Sequence, residues 1–326
     1  MQRAEYTTRG PIPQDTIACV DFTLPALTEG QVLIEVLAAP INPSDVLQLT
    51  GGYGILPPLP AVGGNEGVGR VAGVAPDVTT LTIGQTVLLP AGSGTWTTHL
   101  IAAAKRLIPL PGGVDPKQLA MLTVNPPTAS LLLSEFVTLA AGAWVIQNTA
   151  NSAVGGYLIQ LAKIRGIKTV NVVRRESAVA AVLEMGGDVV VVDGPGLAKR
   201  VSTATKGAPI LLAVDAAAGS ATGRLCECLA EGGVLVNYGA MSGEPCSVSP
   251  ASFVFRNITL RGFWLAQWFK QATPERQQAV FGELGALVAT GKLKARIQAT
   301  YKLGQIKEAV AAAAAGERMG KILLEP

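Results

Sequence analysis

Between residues 144 and 173 the apolar positions change period twice. Residues 144–146 are a short run of β-formers, after which Val154, Leu158, Leu161 and Ala162 recur at helical spacing until Gly166, and residues 169–173 form a second strand-like run. The pattern predicts a strand–turn–helix–strand unit. The same alternation continues after Arg175, with helices predicted over 177–185, 197–205 and 221–229 and strands over 189–192, 211–215, 234–238 and 258–263. Together these segments predict a six-stranded doubly wound parallel sheet of the Rossmann type.

The first hundred residues read differently. Strand-like runs at 16–22, 31–38, 67–74, 86–89 and 95–101 are separated by Pro, Gly and Asp turn signals, without long helices between them. Short strands so arranged predict a partly closed barrel, left through a loop marked by Pro109, Pro111, Gly112 and Gly113. A helical stretch over 118–139 follows, interrupted by Pro126 and Pro127. At the other end, a helix over 274–290, a strand over 296–301, a helix over 306–315 and a strand over 321–324 are expected to return to the barrel domain.

Composition narrows the function classes. A chain of 326 residues suggests two domains. Its mean hydropathy is +0.38, yet the apolar runs are strand- or helix-length and none resembles a membrane span. The N-terminal residues lack the apolar core of a signal peptide, so a cytoplasmic location and no membrane partner are expected. A net charge of +3, without any basic run longer than a pair, argues against nucleic acid. Cys19, Cys226, Cys228 and Cys246 show neither disulfide-framework density nor metal-ligand spacing, and are expected as buried thiols. His99 is the sole histidine and lies in a strand-like segment, so His-based hydrolysis and a His-based zinc site are poorly served; no metal is expected.

The first βα turn carries the candidate chemistry. Ala150-Asn151-Ser152-Ala153-Val154-Gly155 is a degenerate form of the G-x-G-x-x-G fingerprint, in which small residues let backbone N–H groups approach a pyrophosphate at a helix N-terminus. Where a site for NAD places an acid at the end of the second strand, this chain has Arg174 and Arg175. A guanidinium fork suits a 2′-phosphate, so the cofactor expected is NADPH. Glu176 is expected to face solvent at the start of the next helix.

A second unusual stretch contains Asn42-Pro43-Ser44-Asp45, Tyr53-Gly54 and Val62-Gly63-Gly64-Asn65-Glu66-Gly67-Val68. This order of motifs, followed by the nucleotide-binding unit, resembles the medium-chain dehydrogenase/reductase superfamily over essentially the whole chain. Zinc-dependent members have Cys where this chain has Asn42 and His where it has Asn65, and carry a four-cysteine lobe not present here. The chain is therefore similar to the zinc-free branch. Within it, these motifs together with Val124-Asn125-Pro126 and residues 148–155 most resemble the mitochondrial-type 2-enoyl thioester reductases.

The resemblance implies a fold of class α/β, with a β-rich GroES-like catalytic domain over 1–120 and 265–326 and a Rossmann NADPH-binding domain over 121–264. It implies NADPH-dependent reduction of a trans-2-enoyl thioester carried on coenzyme A or acyl carrier protein, and a homodimer. Tyr53 matches the tyrosine that protonates the substrate, a role open to a phenol, which keeps its proton at neutral pH. Asn125 matches a residue facing the nicotinamide; Asn151, Ser152, Ala153, Val154 and Gly155 match the pyrophosphate turn; Arg174 and Arg175 match the ribose-phosphate site. Tyr238-Gly239-Ala240-Met241, Phe263-Trp264-Leu265 and Lys321 match further cofactor contacts. Ala153 and Ala240 stand where the family has glycine. Glu66 reads as a buried structural acid. The alternatives are an NADPH:quinone oxidoreductase and a non-catalytic NADPH-binding structural or regulatory protein.

Overall fold

The computed structural model describes residues 1–316 and 318–326, which form two compact units, 1–124 with 280–326, and 125–279. The sequence-based division lay at 120/121 and 264/265. Residues 265–279 pack with the nucleotide-binding segment, where Arg276 pairs with Glu135.

The first unit starts with β1 (Gln2–Tyr6), β2 (Ile17–Asp21) and β3 (Gln31–Pro40). In β3, Val32, Ile34, Val36 and Ala38 alternate inward, the period-2 signature of a strand with one buried face. Helix α1 (Pro43–Thr50) follows, then β4 (Ala61–Val62), β5 (Val68–Val74), β6 (Thr86–Leu88), β7 (His99–Ala103) and β8 (Ile108–Pro109), and α2 (Pro116–Leu119). Antiparallel pairing of β3 with β5 and β7, and of β6 with β5 and β8, builds the barrel wall. Its core is Val32, Ile34, Val36, Val71, Val87, Leu89 and Leu100.

Two sequence expectations need correction here. The strand expected over 95–101 begins only at His99, because Trp96 turns inward, fully buried, and donates its indole N–H to the Pro40 carbonyl. The helix at 43–50 was not among the elements read from the sequence. Pro43 takes the first helical position, the Asp45 carboxylate accepts the Asn42 N–H at 2.7 Å, and Gly51 closes the helix at φ 84°.

The second unit opens with α3 (Asn125–Leu132), β9 (Trp144–Gln147), α4 (Ala153–Ile164) and β10 (Lys168–Val173). Pro126 and Pro127 lie in the first turn of α3, where their missing N–H groups cost nothing, so they start this helix rather than interrupt one, and it ends at Leu132, short of the expected 139. Next come α5 (Val179–Glu184), β11 (Val189–Val192), α6 (Leu197–Thr205), β12 (Ile210–Asp215), α7 (Ser220–Cys228), β13 (Val234–Asn237), α8 (Pro250–Val254), β14 (Thr259–Gly262), α9 (Leu265–Gln271) and α10 (Pro274–Ala289). The six parallel strands run in the order β11-β10-β9-β12-β13-β14, so the sheet reverses direction between β9 and β12. β10 is buried on both faces from Thr169 to Val173, and β12 at every position except Leu211, as a doubly wound sheet requires.

The chain returns to the first unit through β15 (Ile297–Tyr301), α11 (Ile306–Ala314) and β16 (Lys321–Leu324). Ile306, Val310, Ile322 and Leu324 join Tyr6, Ile41, Leu49 and Trp96 in a second core of that unit. Of the cysteines only Cys226 is buried; Cys19 and Cys228 are half-buried, and Cys246, on the loop after β13, is exposed. Among the described residues no helix is long and apolar enough to cross a membrane.

The barrel packs tightly where β5 pairs with β3. A Cβ on Gly69 would stand 2.2 Å from Ile34 Cγ2 and 2.8 Å from the Glu35 carbonyl oxygen. Gly69→Ala is expected to lower stability by about 1–3 kcal/mol, read as a lower denaturant midpoint at unchanged slope.

Candidate functional site

In the second unit, β9 delivers the chain to a tight turn. Thr149 takes φ 52°, a left-handed conformation in which a β-branched residue is strained. Ser152 then caps α4, its Oγ accepting the Gly155 N–H at 3.1 Å, and the first-turn N–H groups of Ala153 and Val154 lie at the positive end of a twelve-residue helix. A Cβ at Gly155 would fall 2.5 Å from the Ala150 carbonyl oxygen, which explains glycine as the one retained element of the fingerprint. Asn151, Ser152, Ala153 and Val154 are half-buried.

A buried acid not singled out from the sequence ties the neighbouring strand ends together. Asp215, at the end of β12, has no exposed surface. One carboxylate oxygen accepts Asn148 Nδ2 at 2.5 Å and the Ala217 and Ala218 N–H groups at 3.0 Å; the other accepts Thr222 Oγ1 at 2.7 Å and Asn237 Nδ2 at 3.1 Å. Asn148 follows β9 and Asn237 ends β13, so one carboxylate sets three strand ends at the sheet's reversal point.

The remaining expected residues of this unit follow from that anchor. Tyr238 N–H bonds the Asp215 carbonyl at 2.9 Å, and Met241 N–H bonds the Ala216 carbonyl at 3.0 Å. Tyr238 is partly accessible, but its hydroxyl is desolvated, and burial raises it well above the usual phenol range against the opposing hydrogen bond with Ser152. The structure thus brings Ser152 and Tyr238 together. Gly239 approaches the Ala216 carbonyl closely, while Ala240 and Met241 are exposed. Phe263 hydrogen-bonds the Asn237 carbonyl through its N–H at 2.9 Å, Trp264 precedes α9 with its ring partly exposed, and Leu265 is half-buried. Asn125 starts α3 and is buried. Arg174, exposed, and Arg175, half-buried, lie just beyond β10, and Glu176 is exposed in the one-turn helix that follows.

In the first unit, Tyr53 is half-buried in the bend that follows α1. The helix before it rests on a buried polar network. Asn42 Nδ2 donates to Glu66 Oε1 at 2.7 Å, while Glu66 Oε2 accepts the Val124 N–H at 2.9 Å. The Asp45 carboxylate accepts Asn65 through both its N–H and its side-chain amide, at 3.0 and 2.6 Å. Lys321 is buried, with its ammonium donating to Asn42 Oδ1 and to the Ile41 carbonyl at 3.3 Å, so it is no surface charge.

Burial dominates the charges of this network. It pushes Asp45 up to about 6, against the Asn42 N–H, Lys321 and Asn65, and Glu66 up to about 7, against Lys321 and Asn42. It pulls Lys321 down to about 8, against the two carboxylates. Glu66 is the buried structural acid read from the sequence; its pairing with Lys321 was not foreseen, because the two residues lie far apart along the chain.

Comparison with known proteins agrees with both units. Residues 28–112 match the family model described as alcohol dehydrogenase GroES-like domain, and residues 153–280 match that described as zinc-binding dehydrogenase. The mitochondrial enoyl-[acyl-carrier-protein] reductase of Mus musculus is 37% identical over 289 residues, 87% of this chain and 78% of the relative. The chain belongs to the medium-chain dehydrogenase/reductase superfamily, in its enoyl reductase branch. A solved complex of Etr1p with NADP and crotonyl-CoA superposes with a TM-score of 0.91 at 26% identity, covering 100% of this chain and 99% of the other. A putative NADPH:quinone reductase from Bacillus thuringiensis gives 0.90 at 28% identity, covering 100% and 98%.

The zinc named in one family description finds no fitting donor set. The two positions that hold thiolate and imidazole in zinc-dependent members carry carboxamides already committed to Asp45, Glu66 and Lys321. Among the described residues no group of three His, Cys, Asp or Glu could hold a metal ion.

Lys321→Met leaves two buried carboxyls without their cation and is expected to cost about 3–5 kcal/mol. The double variant Lys321→Met/Glu66→Gln is expected to lose less than the sum of the single changes, a coupling readable by denaturant titration of the four proteins.

Proposed function

We propose that this protein reduces the 2,3 double bond of trans-2-enoyl thioesters, carried on coenzyme A or acyl carrier protein, with NADPH as the reductant. The observation that carries the reading is kinship over 87% of the chain with a mitochondrial enoyl-[acyl-carrier-protein] reductase, joined to the fold shared with Etr1p bound to NADP and crotonyl-CoA.

NADPH, when bound, supplies the hydride for the β-carbon of the thioester. The chain's residues hold and protonate. The α4 N-terminus, with Asn151, Ser152, Ala153, Val154 and Gly155, meets the pyrophosphate with backbone N–H groups and a positive dipole end. Arg174 and Arg175 hold the 2′-phosphate. Asn125, residues 238–241 and residues 263–265 are assigned to the remaining cofactor contacts. Tyr53 delivers the proton to the α-carbon as negative charge develops on the thioester oxygen. Its place after the Gly51 helix stop, among small residues, suits a side chain that must reach a bound substrate.

Likeness to the quinone reductase fold supports one competing reading, hydride transfer to a conjugated ring carbonyl. NADPH oxidation followed by its absorbance, with crotonyl-CoA and with a quinone side by side, separates the two. Faster turnover of the enoyl thioester is expected, and turnover of quinone alone would replace this assignment. Tyr53→Phe is expected to lower kcat on crotonyl-CoA by roughly 100-fold or more with NADPH affinity unchanged; full activity in that variant would remove Tyr53 from the mechanism.

The protein is further assigned as a homodimer joined through β14. All four residues of that edge strand are exposed, and Phe253, Val254 and Phe255 beside it leave an apolar patch uncovered. Phe255→Asp is expected to move the mass measured by light scattering from two chains to one.

A further inference from the structure

Beyond the arginines at the end of β10, one ion pair bears on which cofactor is taken. Val173 and Val192 are the last partners in the parallel ladder of β10 and β11, so Arg174 and Asp193 are the residues that leave these two neighbouring strands, which lie ~5 Å apart. The Asp193 N–H donates to the Val173 carbonyl at 2.8 Å, which fixes that adjacency. The Asp193 carboxylate is gripped by both arms of Arg224, Nε to Oδ1 at 2.7 Å and Nη2 to Oδ2 at 2.6 Å, and also accepts the Gly194 N–H at 2.8 Å. Arg224 reaches over from α7, where Ser220 Oγ holds its remaining arm at 3.0 Å. Both side chains are about three-quarters buried, at 27% and 22% exposure, so the pair is only partly screened by water and salt.

In NAD sites an acid at the end of the second strand, the place taken here by Arg174, favours the free ribose 2′-hydroxyl over a 2′-phosphate, and Asp193 follows the strand beside it. We propose that Arg224 determines cofactor specificity without touching the cofactor: by clamping Asp193 it neutralises an acid that would otherwise repel the 2′-phosphate held by Arg174. The inference rests on the NADPH reading above. Burial alone would raise the Asp193 carboxyl, but the hydrogen bonds and charge of Arg224, the Gly194 N–H and the charge of Arg200 together hold it below its usual range, so it remains an anion that needs this partner. Arg200 is itself turned to backbone, donating to the Val192 carbonyl at 2.8 Å, and cannot replace the clamp without leaving that bond.

The test is titration of the wild type, Arg224→Gln and Arg224→Gln/Asp193→Asn with NADPH and with NADH, read by cofactor fluorescence. The wild type is expected to prefer NADPH. Arg224→Gln should weaken NADPH roughly tenfold and leave NADH within about twofold, a change of the size expected for one uncompensated charge near a phosphate. Removing the acid in the double variant should restore NADPH binding. Equal loss of both cofactors, an unchanged ratio in Arg224→Gln, or no recovery in the double variant overturns the inference while leaving the NADPH assignment standing. A wild type without preference for NADPH overturns both.

Discussion

The first unit is arranged around one ammonium taken out of water. Lys321 comes from the last strand of the chain, Asn42 from the end of the longest barrel strand, and Glu66 from the loop that enters β5. Glu66 also holds the N–H of Val124, the last residue before the chain passes into the second unit. Burying these charges is costly, and such a cluster adds little net stability over an apolar filling of the same volume. Its contribution lies in specificity. Each member is satisfied only when a C-terminal strand, a barrel strand and a loop are all in place, so the network discriminates against compact alternatives that an apolar core would tolerate.

The second unit uses a carboxylate to the same end by different means. Asp215 has five donors around it, three from side chains and two from backbone, and no cation among them. Its donors come from the ends of β9 and β13 and from the turn and helix after β12, which are the segments that shape the crevice at a sheet's reversal point. The turn bearing Ser152 and the turn bearing Tyr238 owe their mutual placement to this anchor.

Legibility in the sequence followed the physics of each element. Parallel strands buried on both faces are continuous apolar runs, so β9 to β13 stood out, and α6 was expected with the bounds it has. Proline signals a break and a helix start alike, so α3 was read as an interrupted longer helix, and α1, opened by Pro43 and closed by Gly51, was not read at all. The strand expected at Trp96 failed since a large side chain with one donor was better used inside, against Pro40. The turn at 150–155 and the arginines after β10 were visible as local patterns. The networks of Asp215, of Glu66 with Lys321, and of Asp193 with Arg224 were not, because each joins residues whose adjacency is created only by the fold.

The left-handed Thr149 carries a consequence for how this turn is built. Glycine would adopt that backbone at no steric cost, whereas threonine there forgoes on the order of 1–3 kcal/mol. A rigid, pre-bent entry into α4 leaves less freedom to be frozen when an anion docks, whereas a glycine hinge would settle more comfortably and greet the same anion with a looser grip.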